Sequence, residues 1–177
     1  MIEIRWHGRG GQGVVTAANI LGAAAVYEGK YAQSFPFFGA ERRGAPVSAF
    51  TRIADRAIRL RSQVYRPHWV VLLDDSLLQI IDPLEGLREG GGLVINTRRQ
   101  QTDLPACGRV IALDATGIAQ EVLGRPVANT VMLGALAALG LVGRPALARS
   151  IEEAFAGATG ERNVRAAEAA YALVSGG

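Results

Sequence analysis

The sequence predicts an α/β fold: three layers, α/β/α, around a mixed, mostly parallel sheet. Three observations carry this expectation. A glycine-rich turn, Gly8-Arg9-Gly10-Gly11-Gln12-Gly13, joins a strand-like opening to an Ala-rich helix. Trp69–Leu73 and Leu93–Asn96 are short continuous apolar runs, the mark of strands buried on both faces. Strand and helix patterns alternate early, a hairpin intervenes, and helices gather late. With 177 residues, 49% of them hydrophobic and 20% charged, the chain can bury a real core, and one domain spanning 1–177 is expected.

The elements follow in order. Ile2–His7 reads as a short strand, and Val14–Tyr27 is apolar on nearly every face, which predicts a buried helix. Glu28-Gly29-Lys30 stops that helix. Tyr31–Ser34 reads as a short strand, and the stretch from Pro36 to Pro46 as a loop. Val47–Ile53 and Ala57–Ser62 both alternate, the second with Ile58 and Leu60 opposite Arg59 and Arg61, and are expected to pair as an antiparallel hairpin around Asp55-Arg56. Asp74-Asp75 ends the Trp69–Leu73 strand and caps a short helix or turn over Ser76–Ile81. Leu93–Asn96 is a buried strand, Thr97–Pro105 a polar loop, and Arg109–Leu113 the last strand. Helices are expected at Ala115–Leu123, at Asn129–Leu141 with Asn129 or Thr130 as its cap, at Pro145–Ala156 and at Glu161–Val174.

Composition excludes several functions. Net charge is +3, and Lys30 is the one lysine among nineteen basic residues. The arginines are dispersed, with no aromatic-interleaved basic tract, which argues against nucleic acid. Cys107 is the one cysteine, so this chain's own thiolates hold no disulfide framework, iron–sulfur cluster or structural zinc. Glu3 and Arg5 break any signal-peptide pattern, and Val131–Val142 is well short of the ~18–20 apolar residues of a membrane span. A soluble cytoplasmic protein with no membrane association is expected. His7, beside the glycine turn, is placed to touch a ligand, whereas His68 reads as structural. With no triad, carboxylate pair or metal cluster in the pattern, neither a catalytic residue nor a metal ligand is assigned to this chain.

Two constellations remain. A glycine-rich strand-to-helix turn presents backbone N–H groups and a helix N-terminus to an anion, or packs closely on another subunit. Gly8, Gly10 and Gly13 satisfy the G-x-G-x-x-G spacing of dinucleotide sites. The acidic residue such sites place about 20 residues further on, closing the second strand, is missing, because Glu28 precedes Tyr31–Ser34. The second constellation, Phe35 to Pro46, sets Phe35, Phe37 and Phe38 beside Glu41-Arg42-Arg43, with prolines at 36 and 46. Aromatics and arginine are the residues enriched at interface hot spots, so an interface or ligand loop is expected in preference to a loop folded on its own core.

Ile4-Arg5-Trp6-His7 running into Gly8–Gly13 is similar to the signature of the gamma subunit of 2-oxoacid:ferredoxin oxidoreductases. So are Tyr31-Ala32-Gln33, Phe35–Gly39, Glu41–Val47, Arg59-Leu60-Arg61-Ser62, Ile95-Asn96-Thr97 and Asn129–Ala135. The resemblance covers the chain in order. It implies membership of a complex that decarboxylates pyruvate, branched 2-oxoacids or 2-oxoglutarate to an acyl-CoA while reducing ferredoxin. It also implies alpha, beta and delta partner subunits, with ferredoxin reached through the complex. Thiamine diphosphate would sit between alpha and beta, and iron–sulfur clusters in beta and delta. Coenzyme A would act in the complex, with no cofactor bound by this chain alone and no activity in isolation. By the same resemblance Gly8, Gly10, Gly11, Gln12 and Gly13 face a partner or a coenzyme phosphate, and Phe35, Phe37 and Phe38 anchor an interface. Glu41, Arg42 and Arg43 would border the active-site entrance, with Asn129 and Thr130 toward the same cleft. An indolepyruvate-type subunit, a free-standing nucleotide-binding dehydrogenase and a pure scaffold stay open as alternatives. The Pro36–Pro46 segment favours the pyruvate or ketoisovalerate type.

Overall fold

The computed structural model of the chain describes residues 1–37, 44–99 and 103–176. The elements are β1 (Ile2–Arg9), α1 (Val14–Tyr27), β2 (Tyr31–Phe37), β3 (Pro46–Ala54), β4 (Trp69–Leu72), a 3-10 helix (Asp75–Gln79), β5 (Gly92–Asn96), β6 (Arg109–Leu113), α2 (Ala115–Leu123), α3 (Asn129–Ala138), α4 (Arg144–Ala154) and α5 (Ala158–Ser175). Six strands form one sheet in the order β2-β3-β1-β4-β5-β6. β1, β4, β5 and β6 run parallel, whereas β3 is antiparallel to both its neighbours, β1 and β2. The α/β architecture with a mixed, mostly parallel sheet agrees with the expectation.

Period-two alternation assigns the two faces of the sheet. Ile4, Trp6, Val71 and Val94 point into a core built with α1 and α3. Small residues bring α1 close to the sheet: a Cβ added at Gly22 would stand 2.5 Å from the Ser34 hydroxyl. Ser34 and Thr51 both donate to the Ala18 carbonyl, at 2.8 and 3.2 Å. Helix α3 is buried from Asn129 through Ala137. It meets α5 so closely that a Cβ at Gly134 would overlap the Ala167 carbonyl. On the opposite face, Val70, Leu72, Leu93 and Ile95 pack on Leu77 of the 3-10 helix and on Ile81, Leu84 and Leu87 of the following turns. Half-buried Cys107 joins this second cluster.

Three expectations need correction. Ala57–Ser62 is not a strand, and the hairpin partner of β3 is β2, in a register from Tyr31↔Ala54 to Phe37↔Ser48. With β1 on its other side, β3 has no free edge left for a further strand. The 57–62 segment runs over the sheet instead, where the Leu60 carbonyl accepts from Gln33 Nε2 at 3.0 Å. Second, Phe35, Pro36 and Phe37 belong to β2 rather than to a loop. β2 is an edge strand, the position in a sheet that tolerates proline. Third, neither Asn129 nor Thr130 caps α3. Ala128 occupies the N-cap without a side-chain bond, and Asn129 and Thr130 are already helical.

Candidate functional site

From β1 the chain builds β2 and β3 on one side and then crosses to β4 on the other, so the sheet order reverses between β1 and β4. In open α/β sheets the crevice outside the carboxyl ends of the strands at such a switch point is where ligands bind. Here β1 feeds the glycine turn, β4 feeds Asp74, β5 feeds Thr97 and β6 feeds Asp114.

The glycine turn is built by close approach. A Cβ at Gly8 would stand 2.5 Å from Val14 Cγ2. Gly13 has φ +77°, and a Cβ there would stand 2.4 Å from Asn129 Nδ2. The turn also bonds to itself. Gln12 Oε1 accepts from the Arg9 amide at 2.7 Å, and Gln12 Nε2 donates to Asp74 Oδ2 at 2.8 Å. The Gln12 amide group is therefore committed within the chain rather than reaching across a gap. The Gly10 N–H donates to the Ala45 carbonyl at 3.0 Å. Gly11 is exposed, and the first-turn amides of α1, which starts three residues on, have no intrahelical acceptor.

Asp74 organises the neighbouring strand end. Its Oδ1 accepts from the Ser76 amide at 3.0 Å, the cap expected from the sequence. Its Oδ2 lies 3.2 Å from Arg9 Nε. Burial pushes the Asp74 carboxyl up, but hydrogen bonds from Ser76 and Gln12 and the Arg9 charge outweigh it and hold the group below the usual carboxylate range.

Beyond Asp74 lies a cleft of about 340 Å³ lined by Gln12, Asp74, Asp75, Asn96, Thr97, Arg98, Asp114 and Thr116. It continues into a recess of about 90 Å³ beside Gly11, Pro126 and Val127. Asn96 Nδ2 donates to the Leu73 carbonyl at 2.9 Å and to Thr116 Oγ1 at 2.8 Å, which ties three strand ends together. Asp114 caps α2 through the Gly117 amide at 2.7 Å and pairs with Arg98 at 2.7 Å. Asp75 accepts from Thr97 Oγ1 at 2.5 Å and pairs with Arg99 at 3.2 Å. Each carboxylate at the cleft thus has an arginine beside it. Among the described residues, no group of three or more His, Cys, Asp or Glu is placed to hold a metal ion. A wider hollow of about 510 Å³, between Met1 and Ala54–Leu60, lies at the opposite end of the sheet, where β1 begins and β3 ends.

The sequence-selected residues divide into groups. Gly8, Gly10, Gly11, Gln12 and Gly13 stand together at the switch point, and Asn129 packs behind Gly13, its Nδ2 3.5 Å from the Gly13 carbonyl. Thr130 is fully buried and donates to Asn163 Oδ1 at 2.8 Å, toward α5. Phe35 meets Phe50 at 5.2 Å between ring centroids, and Phe37 is 45% exposed. Phe38, Glu41, Arg42 and Arg43 lie outside the described residues.

His7 sits within β1, which runs on to Arg9, so it does not end the strand. Its Nδ1 is 3.0 Å from Ser48 Oγ, and its Nε2 is buried without a partner among the described residues. Burial, and then the charge of Arg5, push its pKa down to about 4, so it is neutral at pH 7. His68 accepts from the Glu3 amide through Nδ1 at 3.0 Å, a structural role as expected. Sequence reasoning assigned no site role to Arg9, Asn96, Asp114 or Thr116. For Asn96 and Asp114 the signal was available: like Leu73-Asp74, Ile95-Asn96 and Leu113-Asp114 each end an apolar strand run on a polar side chain, at the carboxyl edge where such folds place sites.

The model of the pyruvate ferredoxin/flavodoxin oxidoreductase family matches residues 3–173, and the chain belongs to that family. Within it the chain is of the gamma-subunit type, a subunit of a 2-oxoacid oxidoreductase complex. It is 54% identical over 177 residues to the pyruvate/ketoisovalerate oxidoreductases common subunit gamma of Thermococcus kodakarensis, covering 97% of this chain and 96% of the relative. It is 56% identical over 172 residues to pyruvate synthase subunit PorC of Methanothermobacter marburgensis, with the same coverage. The crystal structure of the pyruvate oxidoreductase subunit PORC of Thermotoga maritima superposes with a TM-score of 0.84 at 39% identity, covering 96% of this chain and 94% of that one. The free-standing dehydrogenase reading also fails on topology. A dinucleotide fold sets its second strand beside the first, whereas antiparallel β3 separates β2 from β1 here.

Proposed function

We propose that this chain packs against the thiamine-binding alpha and beta subunits of a cytoplasmic 2-oxoacid:ferredoxin oxidoreductase and lines the approach of coenzyme A and substrate. A delta subunit and ferredoxin complete the electron path. The observation that carries the reading is the glycine turn at the switch point, opening on the cleft between Gln12 and Thr116. The turn fits an anionic group: at Gly11, with φ +91°, a Cβ would meet nothing within 4 Å, so the turn leaves open space there, and the head of α1 favours negative charge.

Coenzyme A, when bound, supplies the thiol that takes up the acyl group. Gly11, Gly13 and the head of α1 would hold one of its phosphates, and Arg42 and Arg43 would meet others as fixed cations. Phe35, Phe37 and Phe38 would anchor the subunit interface, and Glu41 would border the entrance. Iron–sulfur clusters do not fit this chain, because its single thiol cannot supply the ligands one requires. Electrons therefore travel through other subunits.

The test has two stages. Affinity purification of the tagged chain from its native cell should recover a thiamine-binding subunit pair and a ferredoxin-like chain. In that complex, Arg43→Ala should raise the KM for coenzyme A about tenfold, the loss of one charge-assisted hydrogen bond. Recovery of the chain alone at low salt, or unchanged kinetics in an assembled complex, would count against the reading.

A further inference from the structure

We propose that Arg9 is a positioning residue for the coenzyme A approach: it holds the glycine turn in its binding geometry without contacting the ligand. The proposal rests on the reading that this turn lines that approach.

Arg9 reaches two other parts of the chain at once. Its Nε lies 3.2 Å from Asp74 Oδ2, its Nη2 donates to Ser76 Oγ at 2.7 Å, and its Nη1 donates to the Gly44 carbonyl at 3.0 Å. The first two partners follow β4, and the third precedes β3. The backbone of Arg9 is held as well, because its amide donates to Gln12 Oε1 while Gln12 Nε2 returns to Asp74 Oδ2. Arg9, Gln12 and Asp74 thus close a ring that spans the switch point.

Such a ring answers a physical need. A turn with glycine at four of six positions has large conformational freedom, and a ligand that had to order it would bind more weakly. The guanidinium is a planar fork whose donors can meet a carboxylate, a hydroxyl and a carbonyl simultaneously, which an ammonium group cannot reproduce. The pair is also shielded, with Arg9 and Asp74 side chains 28% and 19% exposed. The positive charge of Arg9 is matched by Asp74, so it contributes geometry rather than attraction for an anion.

That distinction gives a test with opposite signs. Arg9→Met, Arg9→Lys and Asp74→Asn are introduced into the assembled complex, and kcat and KM are measured for coenzyme A and for the 2-oxoacid. Subunit stoichiometry is checked by co-purification. Positioning predicts that Arg9→Met raises the coenzyme A KM about tenfold with kcat within about twofold and the oxoacid KM unchanged. Arg9→Lys should give a smaller rise, and Asp74→Asn should raise the same KM. The double variant Arg9→Met/Asp74→Asn should be no worse than Arg9→Met alone.

A fall in the coenzyme A KM on Asp74→Asn would overturn the proposal, because it would mean that the freed Arg9 charge meets the anion directly. Unchanged KM in Arg9→Met, in a complex where Arg43→Ala raises it, would overturn the positioning role and leave the functional reading intact. If neither variant moves the KM, the functional reading falls and this proposal with it. Should Arg9→Met block assembly, Ser76→Ala removes one acceptor and keeps the ion pair. A raised coenzyme A KM in that variant supports the proposal, and an unchanged one overturns it.

Discussion

On the helical side of the sheet, Trp6, Leu133 and Leu136 are fully buried in an apolar layer. Several of its buried polar groups serve backbone carbonyls, as Thr51 does for Ala18 and Ser150 does for Ile20 at 2.8 Å. On the other side, the same strands present Glu3, Arg5 and Arg52. Arg52 is 1% exposed and donates to Glu3 Oε1 at 3.0 Å, to Gln33 Oε1 at 3.0 Å and to the Gln63 carbonyl at 3.1 Å. Arg88 donates to Glu3 Oε2 at 3.0 Å and to the Arg66 carbonyl at 2.8 Å, and Arg5 donates to the Pro83 carbonyl at 2.9 Å. One face is closed by area, the other by direction. At the β3–β1 end of the second face irregular segments 57–67 and 82–88 cover the sheet, and arginines tie their carbonyls to it. A buried carbonyl without a partner is expensive, and a guanidinium can meet several at once.

Three measurements on the purified chain would break or sharpen this contrast. The largest effect belongs to the apolar face: Trp6→Ala should cost about 3–5 kcal/mol of unfolding free energy in urea, with little dependence on pH. It deletes the largest fully buried side chain and the 3.0 Å bond to Thr51. A loss below about 1 kcal/mol would mean that the helical layer is not the dominant core.

Arg52→Met should cost about 3 kcal/mol at pH 7, the low end for stripping a buried partner, because Arg88 still reaches Glu3. This cost should depend on pH. Burial pushes the Glu3 carboxyl up, yet Arg52 and Arg88 outweigh that and hold it below its ordinary 4.5. A depressed carboxyl stabilises the fold above its unfolded pKa, and that contribution fades as pH falls below 4.5 through the folded value. The gap between the variant and the parent should therefore narrow in strong acid, to the share carried by the Gln33 and Gln63 bonds. A gap that stays constant from pH 7 to pH 3 would refute the ion-pair account.

The smallest effect comes from His7, whose pKa falls from 6.5 to about 4 on folding. The unfolded chain takes up a proton between those values and the folded chain does not, so stability is complete above pH 6.5 and declines as pH drops toward 4. Between pH 6.5 and pH 5 the parent should lose about 2 kcal/mol that His7→Gln does not lose. Parallel profiles for the two proteins would show that His7 titrates normally in the folded state.

The sequence was most readable where local chemistry decides. Val14–Tyr27, Arg109–Leu113 and Ala115–Leu123 have the limits their patterns predict, because Gly13, Asp114 and Gly124 end or start those elements by their own backbone preferences and side-chain bonds. The Asp74 cap was readable for the same reason. Reading failed where pairing decides. Ala57–Ser62 has a strand's alternation, but which segments become neighbours in a sheet depends on edges that distant chain occupies. Asn129 and Thr130 have the side chains of a cap, yet packing between α1 and α5 draws both into the helix.

By itself, then, the sequence determined the α/β class, the glycine turn and the gamma-subunit resemblance, because these rest on short-range patterns carried by consecutive residues. Only the tertiary structure decided that antiparallel β3 separates β2 from β1, that the reversal of strand order falls beside the glycine turn, and that Arg9, Gln12 and Asp74 meet there. The physical reason is separation along the chain: Gln12 and Asp74 lie 62 residues apart, and no local propensity specifies a contact that the whole sheet must form first to create.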